Sequence, residues 1–381
     1  MKIALVHDDF IQWGGAERVV EAMAEIWPEA PIFTLAYDES VLPKTFPKDR
    51  LIPSKAQSKF YVEHVYPKLF FLDPIFFEGF NFNEFDVLIS SSTRFAKSIV
   101  TQPQTIHFAY INTPPRFLWP VSLGFGPSEY VKGFIKKTFF LFRPLSRVMI
   151  PPIISLLRLH DFAAAQRIDY LIGNSQNVAR RIEKFYRRAA DHIYPFVELD
   201  RFEKCTKPTD HEPYYLIVSR LGEHKRVDLA IKAFNRLGWN LKIIGSGPER
   251  ERLEAISGET IEFLGFVSDD DVVSYLQNCE GFIYPQEEDF GITALEAQAA
   301  GKPVIAFRAG GATETVIENK TGVFFDEQTE ESLTAALKKS STISFDPNEI
   351  MAHAQSFSRE IFKANLKKYV EQKVNGSQYN E

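Results

Sequence analysis

Residues 281–325 read GFIYPQEEDFGITALEAQAAGKPVIAFRAGGATETVIENKTGVFF, and this stretch decides the fold. It opens with an apolar run, Gly281, Phe282, Ile283, Tyr284 and Pro285, short enough for a buried strand. An acidic loop follows at Gln286, Glu287, Glu288 and Asp289. Ala, Leu, Glu and Gln then dominate, which predicts a helix from Phe290 and Gly291 through Ala300, with Gly301 placed just past its C-cap. Residues 303–307 read as a second strand. Gly310 and Gly311 lead into a second helix over 312–319, and Gly322 precedes a third strand. Strand, helix, strand, helix, strand with short links is a parallel α/β unit.

Two carboxylates give this unit a chemical character. Glu288 stands on the loop after the first strand, and Glu296 lies inside the helix with seven residues between them. In an open parallel sheet the ligand site lies at the carboxyl ends of the strands. The amides of Phe290, Gly291 and Ile292 open a helix there and attract an anion, helped by the helix dipole. Gly291 lets the backbone come close. Like charges repel, so the two glutamates do not serve a phosphate. They suit hydroxyl donors, as on a sugar and a ribose.

The spacing resembles the glutamate-x7-glutamate signature of retaining glycosyltransferases of family 4. The usual E-G-F-G start is written here as Glu288, Asp289, Phe290, Gly291. Gly310, Gly311, Ala312, Thr313 and Glu314 fit that family as well. The resemblance implies the α/β architecture called GT-B, with two Rossmann-like doubly wound domains facing across a cleft. It assigns sugar hydroxyls to Glu288 and the ribose to Glu296. The amides from Phe290 to Thr293, beside Asp289, go to the leaving diphosphate.

Working outward toward the N-terminus, Tyr215, Leu216, Ile217 and Val218 start the sheet that holds this unit. The strand ends in Ser219, Arg220, Leu221, Gly222, Glu223, His224, Lys225 and Arg226, and a helix follows over 227–237. The family's matching arginine and lysine bind the donor diphosphate, which places Arg220 and Lys225 there. Fixed cations stabilise charge that develops on a leaving group and can replace a metal. No metal site is therefore expected. Residues 241–244 are a strand, and Gly245, Ser246, Gly247 and Pro248 match the family's G-x-G-P. This is not a dinucleotide fingerprint, because the third glycine and the spacing are wrong. Residues 261–267 are the next strand, and the resemblance puts the backbone near Val267 against the nucleobase. Ser268 reads as the N-cap of a helix over 269–278. The triplet Asp269, Asp270, Asp271 suits a helix N-terminus rather than a metal.

The first half repeats the pattern. Residues 3–6 are a buried strand, followed by His7, Asp8 and Asp9, and Gly14 and Gly15 precede a helix from Ala16 to about Ile26. A glycine pair alone is a tight turn. The resemblance sets Gly14, Gly15, Ala16 and Glu17 beside the donor diphosphate. Asp8 and Asp9 read as loop or acceptor contacts, since no third oxygen ligand is positioned for a metal. Residues 86–92 and 106–111 are strands. The latter leads into Asn112, Thr113, Pro114, Pro115 and Arg116, which resembles a motif of the mannosyltransferase-like branch of the family. That motif has a histidine near the donor sugar, and here the position is Asn112. An amide can bond a hydroxyl but does not titrate near neutral pH. Arg116 is open to an acceptor phosphate or to a structural ion pair. His107 reads as a core histidine. Aromatic residues crowd 40–85, which points to core packing, with a lipid or acceptor surface as the alternative.

Residues 131–159 contain six basic residues and no acidic one, interleaved with Phe, Ile and Leu; Pro144, Pro151 and Pro152 are expected to break the segment. It reads either as a contact with an anionic membrane surface or as a packed excursion with snorkelling lysines. Ser175 reads as the cap of a helix over 176–186.

The expected domains are 1–204 on the acceptor side and 213–357 for the nucleotide sugar. The expected linker is 205–212, and a helix at about 358–375 returns to the first domain. The 381 residues carry a net charge of −6, which argues against a nucleic-acid partner. Cys205 and Cys279 form no disulfide or metal pattern. The apolar run at the N-terminus is too short for a signal peptide, and no run is long enough to span a bilayer. These features point to the cytoplasm or the inner face of the membrane.

The implied reaction is retaining hexosyl transfer to a glycan or lipid-linked acceptor, without a cofactor. The motif at residues 106–119 leans toward GDP-mannose over a UDP-sugar. A sugar-nucleotide epimerase on the same architecture, or a non-catalytic sugar-nucleotide-binding subunit, are the alternatives.

Overall fold

The computed structural model describes residues 1–58, 70–120, 143–203 and 212–377. The expected linker, apart from Glu212, lies outside the described residues, as do Cys205 and the 131–142 part of the basic segment. The chain divides into two compact units. Unit 1 comprises Met1–Tyr194 with Lys363–Glu381, and unit 2 is Pro195–Phe362.

Unit 1 holds a seven-stranded parallel sheet. Its strands are β1 (Ile3–His7), β2 (Ile32–Thr34), β3 (Leu51–Pro53), β4 (Val87–Ser92), β5 (Ile106–Ile111), β6 (Tyr170–Gly173) and β7 (Asp191–His192), in the order β3-β2-β1-β4-β5-β6-β7. Unit 2 holds a six-stranded parallel sheet of β8 (Tyr215–Val218), β9 (Leu241–Ile244), β10 (Ile261–Gly265), β11 (Gly281–Tyr284), β12 (Val304–Phe307) and β13 (Gly322–Phe325). Its order, β10-β9-β8-β11-β12-β13, repeats the first six strands of unit 1. Each sheet winds outward in both directions from its first strand. The point of reversal lies between β1 and β4 in unit 1, and between β8 and β11 in unit 2.

Burial explains why these strands form. Along β11, Phe282 and Tyr284 pack on one face of the sheet and Ile283 on the other. Along β12, Val304 and Ala306 alternate in the same way with Ile305. A period of two with both faces apolar is the mark of a parallel sheet covered on both sides. The helices Val227–Leu237 and Glu330–Ser340 cover one face, and Asp269–Asn278 and Ile292–Ala299 the other. In unit 1 the aromatic stretch is core where it is described. Phe77, Phe82 and Phe85 pack with Phe33, and Phe33 and Phe82 meet edge to face with ring centroids 4.8 Å apart.

Four expectations change in detail. The Glu288 unit's first helix is Ile292–Ala299, because Gly291 is left-handed at φ 93° and cannot continue a helix. Its second helix stops at Thr315, where Val316 turns extended and Glu318 bridges to Gly322. Pro144, Pro151 and Pro152 do not break the basic segment, since one helix runs Arg143–Gln166. It docks through Ile154 and Leu157 on the core of unit 1, which offsets the missing proline amides. Residues 195–203 belong to unit 2 rather than to the first domain. The Val197 amide donates to Phe357 O at 3.0 Å, and Phe202 packs beside Leu276.

The helix Arg359–Ser377 enters unit 1 at Lys363. Lys363 pairs with Glu25 at 3.0 Å, and the Tyr369 hydroxyl donates to Asp191 at 2.7 Å.

Candidate functional site

In unit 2 the loops after β8 and β11 flank the point where strand order reverses. The first carries Lys225 on the short turn Glu223–Lys225, and the second carries Glu288. The two side chains form an ion pair through Lys225 Nζ and Glu288 Oε1. The buried Tyr284, at the end of β11, donates its hydroxyl to Glu288 Oε2 at 2.9 Å. A cation from one side of the crevice and a carboxylate from the other thus meet where open α/β sheets bind ligands.

The backbone around Glu288 is tightly constrained. A Cβ on Gly291 would lie 2.6 Å from the Tyr284 hydroxyl, besides the cost of its left-handed φ. A Cβ on Gly311 would lie 2.3 Å from Phe290 Cα, and the Gly311 amide donates to Glu288 O at 2.8 Å. The two glycine-bearing phrases of the opening stretch therefore pack against each other. Asp289 and Phe290 are buried, and Phe290 meets the Phe357 ring at 5.9 Å. Ile292 and Thr293 open the helix, where amides have no intrahelical acceptor.

Glu296 lies one turn along that helix. Its Oε1 accepts from Arg201 at 3.1 Å. Arg220 stands exposed after β8; its carbonyl accepts from the Gly222 amide at 2.9 Å, and its guanidinium makes no hydrogen bond or ion pair among the described residues. Val267, after β10, is half-buried against the core. Ser268 caps the next helix by accepting from the Asp271 amide, so the acidic triplet sits at a helix N-terminus.

Unit 1 has its own cluster at its reversal point, on the loops after β1 and β4. Asp8 is buried and accepts four backbone amides: Thr93 at 2.5 Å, Arg94 at 2.8 Å, Phe95 at 2.8 Å and Ala96 at 2.7 Å. Asp9 pairs with Arg94. This carboxylate of Asp8 closes the loop after β4. Burial alone would raise its pKa. The charges of Arg94 and His7, with the amides, outweigh burial and hold the carboxyl below its ordinary value.

His7 bonds the Ser91 carbonyl through Nδ1 at 3.1 Å and faces Glu17 across 3.9 Å. Burial by itself lowers its pKa. The nearby carboxylate of Glu17, with the charges of Asp8 and Asp9 behind, brings the net shift upward. Glu17 Oε2 in turn accepts the Gly14 amide at 2.8 Å, and Gly15 opens the helix Gly15–Ile26. Asn112 donates to Ser91 Oγ at 3.1 Å, and Arg116 is half-buried. His107 is buried in β5 against Ser90 Oγ at 2.8 Å, and burial, then Arg167, pushes its pKa down to about 3. It is a neutral core residue.

Arg201, Tyr284 and Arg94 are absent from the sequence reading of the site. Each acts by holding a glutamate or aspartate from outside its motif, and a single arginine or tyrosine has no local pattern to reveal that.

Residues 200–355 match the family described as Glycosyl transferases group 1. Over 203 residues the chain is 29% identical to the GDP-mannose-dependent alpha-(1-6)-phosphatidylinositol monomannoside mannosyltransferase of Mycolicibacterium smegmatis, covering 44% of this chain and 53% of that protein. Across the first curated relatives, the chain spans between 33% and 53% of their lengths. Sucrose-phosphate synthase from Thermosynechococcus elongatus superimposes with a TM-score of 0.74 at 16% identity, over 99% of this chain and 100% of that one. HepE of Anabaena, in complex with UDP-glucose, gives a TM-score of 0.66 at 15% identity over 98% and 100%. The fold is GT-B, two Rossmann-like α/β domains, and the residues that match the Glycosyl transferases group 1 family lie in unit 2.

Proposed function

We propose that this protein is a retaining, metal-independent glycosyltransferase that moves a hexose from a nucleotide-diphosphate sugar to an acceptor hydroxyl. The observation that carries this reading is the meeting of Lys225 and Glu288 at the reversal point of the unit 2 sheet. A diphosphate would draw Lys225 and Arg220, while Glu288 would turn to the hydroxyls of the transferred sugar. Helix-opening amides at Ile292 and Thr293 would add to the stabilisation of the leaving group. No side chain of the cluster stands as an obvious covalent nucleophile. A front-face route fits, in which the leaving phosphate oxygen takes the acceptor's proton as the new glycosidic bond forms.

Mannose from GDP-mannose is the favoured donor. The motif around Asn112 and the mannosyltransferases among the relatives support it. HepE, solved with UDP-glucose, keeps a UDP-sugar in contention. The acceptor class is a lipid-linked surface polysaccharide or glycolipid. No helix among the described residues is long and apolar enough to cross a membrane. Leu156 and Leu159 are 67% and 65% exposed on the helix that carries part of the basic segment, which supports peripheral attachment to the inner face of an anionic membrane.

Thermal denaturation against a panel of nucleotide sugars tests the reading. At a hundred times its dissociation constant a ligand adds roughly 2.7 kcal/mol to stability. One donor should shift the transition of the wild type, and Lys225→Ala and Glu296→Ala should abolish the shift. No shift with any nucleotide sugar overturns the donor assignment. Release of nucleoside diphosphate only when an acceptor is present separates transfer from epimerisation and from binding alone.

A further inference from the structure

Arg201 is part of no motif, yet it touches two loops that the donor reading needs. It sits on the single turn Leu199–Phe202, near the start of unit 2. One guanidinium nitrogen donates to Glu296 Oε1 at 3.1 Å, and another donates to the Asp269 carbonyl at 3.2 Å. The Asp269 carboxylate lies 3.6 Å away on the same side. The turn beneath is itself clamped, because Gln277 donates its side-chain amide to Phe202 O at 3.1 Å and Phe202 packs into the core. Asp269 begins the helix two residues after Val267, and Glu296 stands on the helix that follows the Glu288 loop. A planar guanidinium with a fixed fork bridges the two at set distances.

We propose that Arg201 is a positioning residue that fixes Glu296 as the acceptor for the donor's ribose hydroxyls. The inference rests on the reading of unit 2 as a nucleotide-sugar site. Arg201 touches no substrate in this assignment. Its charge balances Glu296, which is only 13% exposed, and its geometry holds that side chain in one orientation.

The test compares GDP with 2′,3′-dideoxy-GDP, and UDP with 2′,3′-dideoxy-UDP, by calorimetric titration of the full chain and its Arg201→Gln and Arg201→Lys variants. For whichever base binds, the wild type should prefer the ribonucleotide by about tenfold or more, the range of a hydrogen bond to a charged group. Arg201→Gln should lose most of that preference and keep its dideoxynucleotide affinity within about twofold, which also shows that the variant is folded. Arg201→Lys should fall between, since it keeps the charge without the fork. Preference intact in Arg201→Gln, or equal weakening of both nucleotides, overturns the positioning role alone. A wild type that binds both nucleotides equally removes Glu296 from the ribose, and the inference goes with it. A wild type that binds neither base overturns the reading of the site itself.

Discussion

Lys225 and Glu288 each keep under a fifth of their side-chain exposure, 16% and 18%. Exposed pairs contribute about 0–1 kcal/mol, whereas removing one partner of a fully buried pair costs about 3–5 kcal/mol. This pair lies between, so Lys225→Met should destabilise the fold by about 1–2 kcal/mol, read from urea denaturation. Combining it with Glu288→Gln should cost less than the two changes summed, because the uncompensated carboxylate is gone. A strictly additive double variant would show that the two charges are not coupled. His7 gives a pH dependence of defined sign. Its folded pKa is raised, so its contribution is complete below the unfolded value near 6.5 and is lost as pH rises through the folded value. Stability of the wild type relative to Glu17→Gln should therefore shrink on going from mildly acidic to alkaline buffer. A difference that stays constant or grows across that range would reject Glu17 as the partner that charges His7.

At the scale of the element, the turn before the helix Ile292–Ala299 depends on one glycine. Gly291 is left-handed, and a Cβ would press on the Tyr284 hydroxyl that holds Glu288. Gly291→Ala should cost about 1–3 kcal/mol, whereas Gly376→Ala, in a helix with open space around it, should be neutral or stabilising by about 0.5–1 kcal/mol. Equal melting temperatures for the two variants would contradict this account of the turn. The same stretch shows what sequence can and cannot carry. β11, β12 and β13 were legible because continuous apolar runs between glycine turns have few other solutions. The caps at Ser175 and Ser268 were legible because a serine before a helical run has a local job. β2 and β3 were not, since three residues each, Ile32–Thr34 and Leu51–Pro53, are too short to show a period. Spacing singled out Glu288 and Glu296, and the family resemblance singled out Lys225, but neither showed their partners. Tyr284 and Arg201 reach them through side-chain direction and tertiary packing. The partners of Asp8 were hidden for the same reason: its four amides come from residues 93–96, far along the chain.

For the whole molecule, the division into two units has an energetic consequence, because each sheet has cores on both faces drawn from its own unit. The last helix is the test case. Leu366, Val370 and Val374 recur at helical spacing and are buried, and all three belong by contact to unit 1 although the chain reaches them only after unit 2 is complete. Leu366→Ala should cost about 2–5 kcal/mol, the range for a buried leucine left as a cavity. That loss should be confined. Native-state hydrogen exchange of the variant should show faster opening of β1, β4, β5 and β6, with the amides of β8, β9, β11 and β12 as protected as in the wild type. Protection lost evenly from both sheets would mean that the chain unfolds as a single cooperative body. Confinement would mean instead that the last helix sets the stability of unit 1 while unit 2 stands on its own core.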